Sequence, residues 1–297
     1  MRRGRVLRKS LQSAGLILFV TLLGLGFALP ILVTITNAFM TGFEVHSRFT
    51  MALLPSNAFY ALEVFPHLHF VRMTLNPDFV SFSQFRALFR DAGYMQALWN
   101  SVSITVPSVI GQLIVCVPAA YAFEFSKNRH KEKLFFVYVV VMLMPLPVLL
   151  VPQFVMARFL GISESMWAII LPAIFAPFGV FLLRQFLKKL PIEFLEAAKI
   201  DGAGQLRILL FIVVPLMKPA IAALALLVFV DYWNVVDQAI VFITDANAQP
   251  LSVYLAGLTG NFEIIFAASV FYMLPALLVF LHGQENLMEG MRISGIK

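Results

Sequence analysis

Six long apolar runs decide what this chain can fold into. They cover residues 16–39, 101–125, 134–155, 166–187, 206–230 and 264–281. A helix needs roughly 20 residues to cross the hydrocarbon core of a bilayer. The runs are continuous rather than alternating, which fits spanning helices and not a barrel. Only 13% of residues are charged, against about 25% in a soluble domain. The chain therefore reads as an all-α integral membrane protein with six transmembrane helices. No repeat, low-complexity tract or hydrophilic linker divides it, so 1–297 is one membrane domain.

The first run follows a basic segment, 1–9, and resembles a signal peptide. It is too long for the usual apolar core of one, and no small-x-small site follows, so it is expected to be an uncleaved span. The single cysteine, Cys116, lies inside the second run and gives no disulfide framework.

Lys and Arg set the orientation. On one side lie Arg2, Arg3, Arg5, Arg8 and Lys9, then Lys127, Arg129, Lys131 and Lys133, then Arg184, Lys188, Lys189, Lys199 and Arg207, and finally Arg292 and Lys297. The other side keeps Arg48, Arg72, Arg86, Arg90 and Arg158. The positive-inside rule puts both termini in the cytoplasm. This bias accounts for the net charge of +6 without a nucleic-acid partner. Residues 40–99 then form an external region. Its apolar part, 51–65, contains Pro55 and Glu63, is short for a span, and would invert every later loop if counted as one. An interfacial helix there would lay Leu53, Leu54, Phe59, Tyr60 and Phe65 on the membrane or on a partner. The 188–205 connection is cytoplasmic, and the 231–263 loop, which has no Lys or Arg, is external.

Prolines crowd the spans: Pro107, Pro118, Pro145, Pro147, Pro152, Pro172, Pro215, Pro219 and Pro275 among them. Each removes a backbone donor that lipid cannot replace. Kinked spans survive where neighbouring helices or a water-filled path satisfy the freed carbonyl, which favours a transporter over an anchor.

The cytoplasmic connection contains Glu196-Ala197-Ala198-Lys199-Ile200-Asp201-Gly202-Ala203. Pro191 suits a helix start, with Glu193 and Glu196 at its positive end. Gly202 supplies the stop. Ala197 and Ala198 allow another surface to approach closely, and Glu196 and Asp201 offer carboxylates to its cations. On composition alone the segment is equally an amphipathic interfacial turn without a partner.

That segment resembles the EAA loop of the membrane subunits of ABC importers: E-A-A-x-x-D-G-A, eight residues, then I-x-L-P. Here Glu196, Ala197, Ala198, Asp201, Gly202 and Ala203 are followed after eight residues by Ile212 and Pro215, with Val214 in place of Leu. The D-G-A form at Asp201 is similar to that of carbohydrate permeases. Asn100-Ser101, Ala119-Ala120-Tyr121-Ala122-Phe123, Phe181-Leu182-Leu183-Arg184-Gln185-Phe186, Trp233-Asn234 and Glu289-Gly290-Met291 extend the likeness to the maltose-type second permease over most of the chain. The resemblance implies a type I ABC importer permease in a bacterial or archaeal cell membrane. It implies a second permease subunit, two ATP-binding subunits that hold the ATP and Mg, and an extracellular solute-binding protein that delivers a sugar. Glu196 would carry the ionic contact with the ATPase, Ala197 and Ala198 the close fit, and Gly202 the turn.

On the far side, Tyr232, Trp233, Asn234, Gln238, Asn247 and Gln249 offer stacking faces and hydrogen bonds suited to sugars. Trp233 also suits an interfacial aromatic belt. Glu124, Asp231 and Asp237 lie near span ends, where an acid reaches water as readily as it serves transport. Lys218 is placed to snorkel to the cytoplasmic surface.

The sequence has no G-x-x-x-x-G-K-[ST] loop, so ATP is not bound by that route, and no catalytic elbow or metalloprotease motif, so it does not read as an enzyme. No cofactor is expected in this chain. His67 and His69 lack a third ligand nearby and fit a structural pair better than a metal site. An ion-coupled secondary transporter would want paired midplane acids and repeats, which are not evident. Polyol and glycerol-phosphate importers share the D-G-A form and stay open as cargo classes.

Overall fold

The computed structural model describes residues 2–49, 77–191, 193–258 and 264–294, with side chains over 15–45, 77–191, 193–258 and 264–284. The interfacial helix expected at 51–65 and the pair His67 and His69 lie outside the described residues. Everything regular in the described residues is helical. Two compact units emerge: 1–91 with 258–272, and 92–257 with 273–297.

In the first unit, α1 (Arg2–Asn37) carries the apolar stretch Gly15–Asn37, which the rest of the chain leaves uncovered until its last residue, the buried Asn37. Leu16, Phe19, Leu22, Leu25 and Phe27 all face outward, as a lipid-facing span requires. The helix end is satisfied from within the unit: buried Gln84 donates through Nε2 to the carbonyls of Asn37 (2.7 Å) and Met40 (3.0 Å). Gln84 sits on α3 (Ser83–Leu88), which follows the short α2 (Gly42–Phe49). Phe39, Phe82 and Phe85 close over this junction as edge-on and tilted pairs.

The second unit is organised around α4 (Ala92–Phe125), which packs against five later α-helices. Its 34 residues are about 51 Å long at 1.5 Å per residue, more than the core of a bilayer. The helix that holds the run 101–125 therefore begins before it, inside the region 40–99 expected to be external. Next come α5 (Lys131–Met142), α6 (Leu146–Phe159), α7 (Trp167–Ile174), α8 (Pro177–Leu187) and α9 (Glu193–Ile200). Then α10 (Gln205–Ile208) passes through a π-helical turn, Leu209–Val213, into α11 (Val214–Leu216), followed by α12 (Lys218–Trp233). Beyond lie α13 (Asp237–Phe242), α14 (Leu251–Gly257) and α15 (Ile265–Ser294), which runs through both units.

Four helices among the described residues are long and apolar enough to cross a membrane: Gly15–Asn37, Ala92–Phe125, Trp167–Leu187 and Ile265–Gln284. Two bent pairs bring the number to six if each is one span. The run read as 134–155 is one of them, bent by 104° between α5 and α6. Pro145 lies at the bend with ψ 142°, and Pro147 falls in the first turn of the next helix, where its missing N–H costs nothing. The run read as 206–230 bends by 77° before Lys218. The run 166–187 is interrupted at Ala176, whose ψ of 130° is the extended form imposed by the following proline.

Close approach holds the centre of the unit together. A Cβ built on Gly179 would lie 2.7 Å from Cys116 Sγ and 2.9 Å from Gln112 Nε2, so α8 meets α4 where no side chain intervenes.

Candidate functional site

The connection between the fourth and fifth runs folds into α9, which has one buried edge. Leu195 and Ala198 are buried in the same apolar core as Leu183, Leu187, Ile208 and Leu224. Glu196, Ala197, Lys199, Asp201 and Gly202 are exposed. So are Phe194 and Ile200, the latter 86% exposed. Burial of Leu195 anchors the helix, worth about 2 kcal/mol, while the acids, one alanine and two bulky apolar side chains remain uncovered.

The end of α9 is a complete Schellman turn. Gly202 has φ +79°. Its N–H donates to Lys199 O (3.1 Å), and the Ala203 N–H donates to Ala198 O (2.9 Å). Ala203 packs against the same core as Ala198, the apolar contact that accompanies this motif. Ile212 lies in the π-helical turn, partly buried, and Pro215 follows it on an exposed edge. Proline removes a helical donor and crowds the preceding turn, and a widened turn relieves that crowding.

Two polar contacts tie this region to α4. The Tyr121 hydroxyl donates to Gln205 Oε1 at 2.8 Å. Arg184, 1% exposed, donates from Nε to Glu124 Oε2 at 3.0 Å and from Nη2 to Glu132 Oε1, with its guanidinium 4.0 Å from the Phe135 ring centroid. Arg184 is thus a buried tie between α8, α4 and α5, and its place among the loop cations is corrected. Glu124 is its ion partner rather than a solvated span-end acid.

At the other end of the unit, the candidate sugar-facing residues divide. Tyr232, Asn234 and Gln238 line one hollow of about 250 Å³ together with Asp231 and Asp237. Trp233 does not join them: it is 2% exposed and stacks on Phe229 at 5.6 Å, so its ring face is already covered. Asn247 and Gln249 lie apart from that hollow, on a loop held by α4. Asn100 Nδ2 donates to both their carbonyls, at 2.7 and 3.0 Å, and the Leu251 N–H donates to Ser101 Oγ at 2.8 Å. Asn247 lines a separate hollow of about 520 Å³ with Gln96 and Asn100. The positioning role of Asn100 and Ser101 had no local signal, because their partners lie about 150 residues away. No group of three His, Cys, Asp or Glu side chains among the described residues is arranged to hold a metal ion.

Comparison with known proteins agrees with this architecture. The chain is 29% identical over 232 residues to the arabinooligosaccharides transport system permease protein AraQ of Halalkalibacterium halodurans, covering 76% of this chain and 83% of that one. It is 31% identical over 228 residues to the melibiose/raffinose/stachyose import permease protein MelC of Bacillus subtilis, covering 74% and 83%. Its fold matches a chain of a bacterial ABC transporter involved in the import of the acidic polysaccharide alginate, with a TM-score of 0.76, 23% identity, and coverage of 93% and 96%. Residues 112–293, from the middle of α4 to the end of α15, match the profile of the binding-protein-dependent transport system inner membrane component. That match takes in α9, its Schellman turn and the Arg184 tie, and by it this chain belongs to the family of binding-protein-dependent inner membrane transport components.

Proposed function

We propose that this chain forms half of the translocation path of an ATP-driven importer whose cargo is a saccharide. A second permease supplies the other half, two ATPase subunits bind ATP and Mg at the cytoplasmic face, and an extracellular solute-binding protein delivers the sugar. Both termini lie in the cytoplasm. The observation that carries this reading is α9: an anchored helix whose uncovered side offers Glu196, Ala197, Asp201, Phe194 and Ile200 to another surface. Glu196 and Asp201 face cations on the ATPase subunit, Ala197 admits its close approach, and the turn at Gly202 and Ala203 fixes the helix angle. Ile212 and Pro215 carry the motion of that helix into the next span. Alternating access requires such rigid-body coupling.

Support for a saccharide comes from Asp201 in the D-G-A form and from the relatives' names, which refer to arabinooligosaccharides and to melibiose, raffinose and stachyose. Those names leave the charge of the sugar open, since the structural neighbour serves an acidic polysaccharide.

The experiment is reconstitution of the chain with its second permease, ATPase and binding protein. Glu196→Lys should leave membrane insertion intact and lower receptor-stimulated ATP hydrolysis and uptake at least about tenfold, one charge-assisted contact being worth ~1.5–3 kcal/mol. Normal uptake with normal ATPase stimulation in that variant would remove the docking role.

A further inference from the structure

Asp231 and Tyr232 border two hollows at once. The first, of about 250 Å³, also takes Asn234, Asp237 and Gln238 into its wall. The second, of about 420 Å³, takes Gln112 from the middle of α4. Two amides line these walls, Gln238 in the first hollow and Gln112 in the second. Gln112 Oε1 is buried and has no hydrogen-bond partner among the described residues. A carbonyl withdrawn from water and left unmatched is unfavourable, and a hydroxylated solute passing through would match it.

The charges along the same wall are one-sided. The ion pairs seen in this unit gather on Arg184 and involve neither Asp231 nor Asp237. No Lys or Arg lines either hollow. The stretch from Asp231 through 263 contains none at all. Carboxylates accept strong hydrogen bonds from sugar hydroxyls. The same carboxylates repel a second anion, and do so more strongly where protein and lipid displace water.

Resting on the saccharide-import reading, we infer that Asp231 and Asp237 make this wall a charge filter. Saccharides without anionic groups pass, and those carrying carboxylate, sulfate or phosphate are rejected. This sets aside the glycerol-phosphate class left open by the sequence. Asn234 and Gln238 supply the neutral polar contacts that both cargo types would use, so discrimination falls to the two acids.

The test uses the complete permease–ATPase assembly in nanodiscs without binding protein, so that the receptor's own selectivity does not intervene. Equilibrium dialysis compares radiolabelled raffinose, maltotriose and arabinotriose with tri-galacturonate. The wild-type assembly should bind at least one neutral trisaccharide about tenfold or more tightly than tri-galacturonate. In Asp231→Asn/Asp237→Asn, a change that keeps side-chain size, the ratio should fall below about threefold through a gain in galacturonate binding. Equal binding by the wild-type assembly, no binding of any probe, or an unchanged ratio in a variant that elutes as the intact complex would each overturn the filter. Failure of the saccharide reading itself would look different: no saccharide-loaded receptor would stimulate ATP hydrolysis by the wild-type complex.

Discussion

Tyr121 on α4 holds Gln205 by a 2.8 Å hydrogen bond, and Gln205 is the first residue of α10, just beyond the turn that ends α9. The helix at the centre of the second unit is thereby joined directly to the root of the proposed docking segment. Tyr121→Phe removes one hydroxyl and keeps the ring packed against Phe125. A neutral hydrogen bond contributes about 1 kcal/mol. We expect normal expression with a two- to fivefold drop, roughly the size of that bond, in receptor-stimulated ATP hydrolysis. Full stimulation would show that the bond does not hold the docking segment.

Gly202 has φ +79° with open space around the missing Cβ, so substitution there meets a conformational penalty and no clash. A non-glycine residue in this region costs roughly 1–2 kcal/mol, and asparagine costs less. Gly202→Val should speed hydrogen exchange of the α9 amides about tenfold or more, while Gly202→Asn should stay within about threefold of wild type. Equal exchange in both variants would mean that the turn does not limit the helix.

Leu195 is the side chain that pins α9 to its core. Leu195→Ala should cost about 2–3 kcal/mol of local stability, since the cavity adds to the lost burial. Glu196→Ala, on the exposed side, should leave stability unchanged and lower coupling alone. Measuring thermal denaturation and ATPase stimulation on both variants separates the two roles.

Arg184 tests the buried tie. Arg184→Gln leaves Glu124 without its cation and is expected to destabilise the protein by about 3 kcal/mol. Adding Glu124→Gln should recover part of that loss, because the acid that remains, Glu132, is exposed to water. A double-mutant cycle with an interaction energy near zero would contradict the pairing.

Asn100 makes two hydrogen bonds to the 247–249 loop. Asn100→Ala should release that loop, at about 1 kcal/mol per bond. Limited proteolysis near Asn247 should then be faster, with α4 itself intact.

The parts of this molecule that were legible in its sequence are those governed by local rules. Lipid offers no hydrogen bonds, so each long apolar run had to be helical, and the runs mark the helices well. The end of α9 was readable for the same reason: the N–H groups of Gly202 and Ala203 bond to carbonyls three and five positions back, whereas the burial of Leu195 depends on distant residues such as Ile208 and Leu224. The bends were only half legible. Pro145 and Pro147 announced an interruption, but the 104° angle goes with packing onto separate partners, α5 on α8 and α6 on α7 and α13. Arg184 misled because its acids, Glu124 and Glu132, are 60 and 52 residues distant, and a cation near a span end looks like a loop cation until its partners are known. Trp233 misled for a related reason: its stacking partner Phe229 lies one helical turn away, yet nothing local says which face of that turn is covered.

The bend at Met217 gives the fifth run the form of a bell crank. Its short arm begins at Gln205, its long arm ends at Trp233, and the two meet at 77°. The fulcrum is Met217, fully enclosed by surrounding side chains. Asp231 lies about 20 Å along the long arm at 1.5 Å per residue, so a rotation of roughly 10° at the fulcrum sweeps it by about 3.5 Å. A small tilt delivered at one end of this run is thus geometrically sufficient to open or shut a gap the width of a sugar hydroxyl at the other.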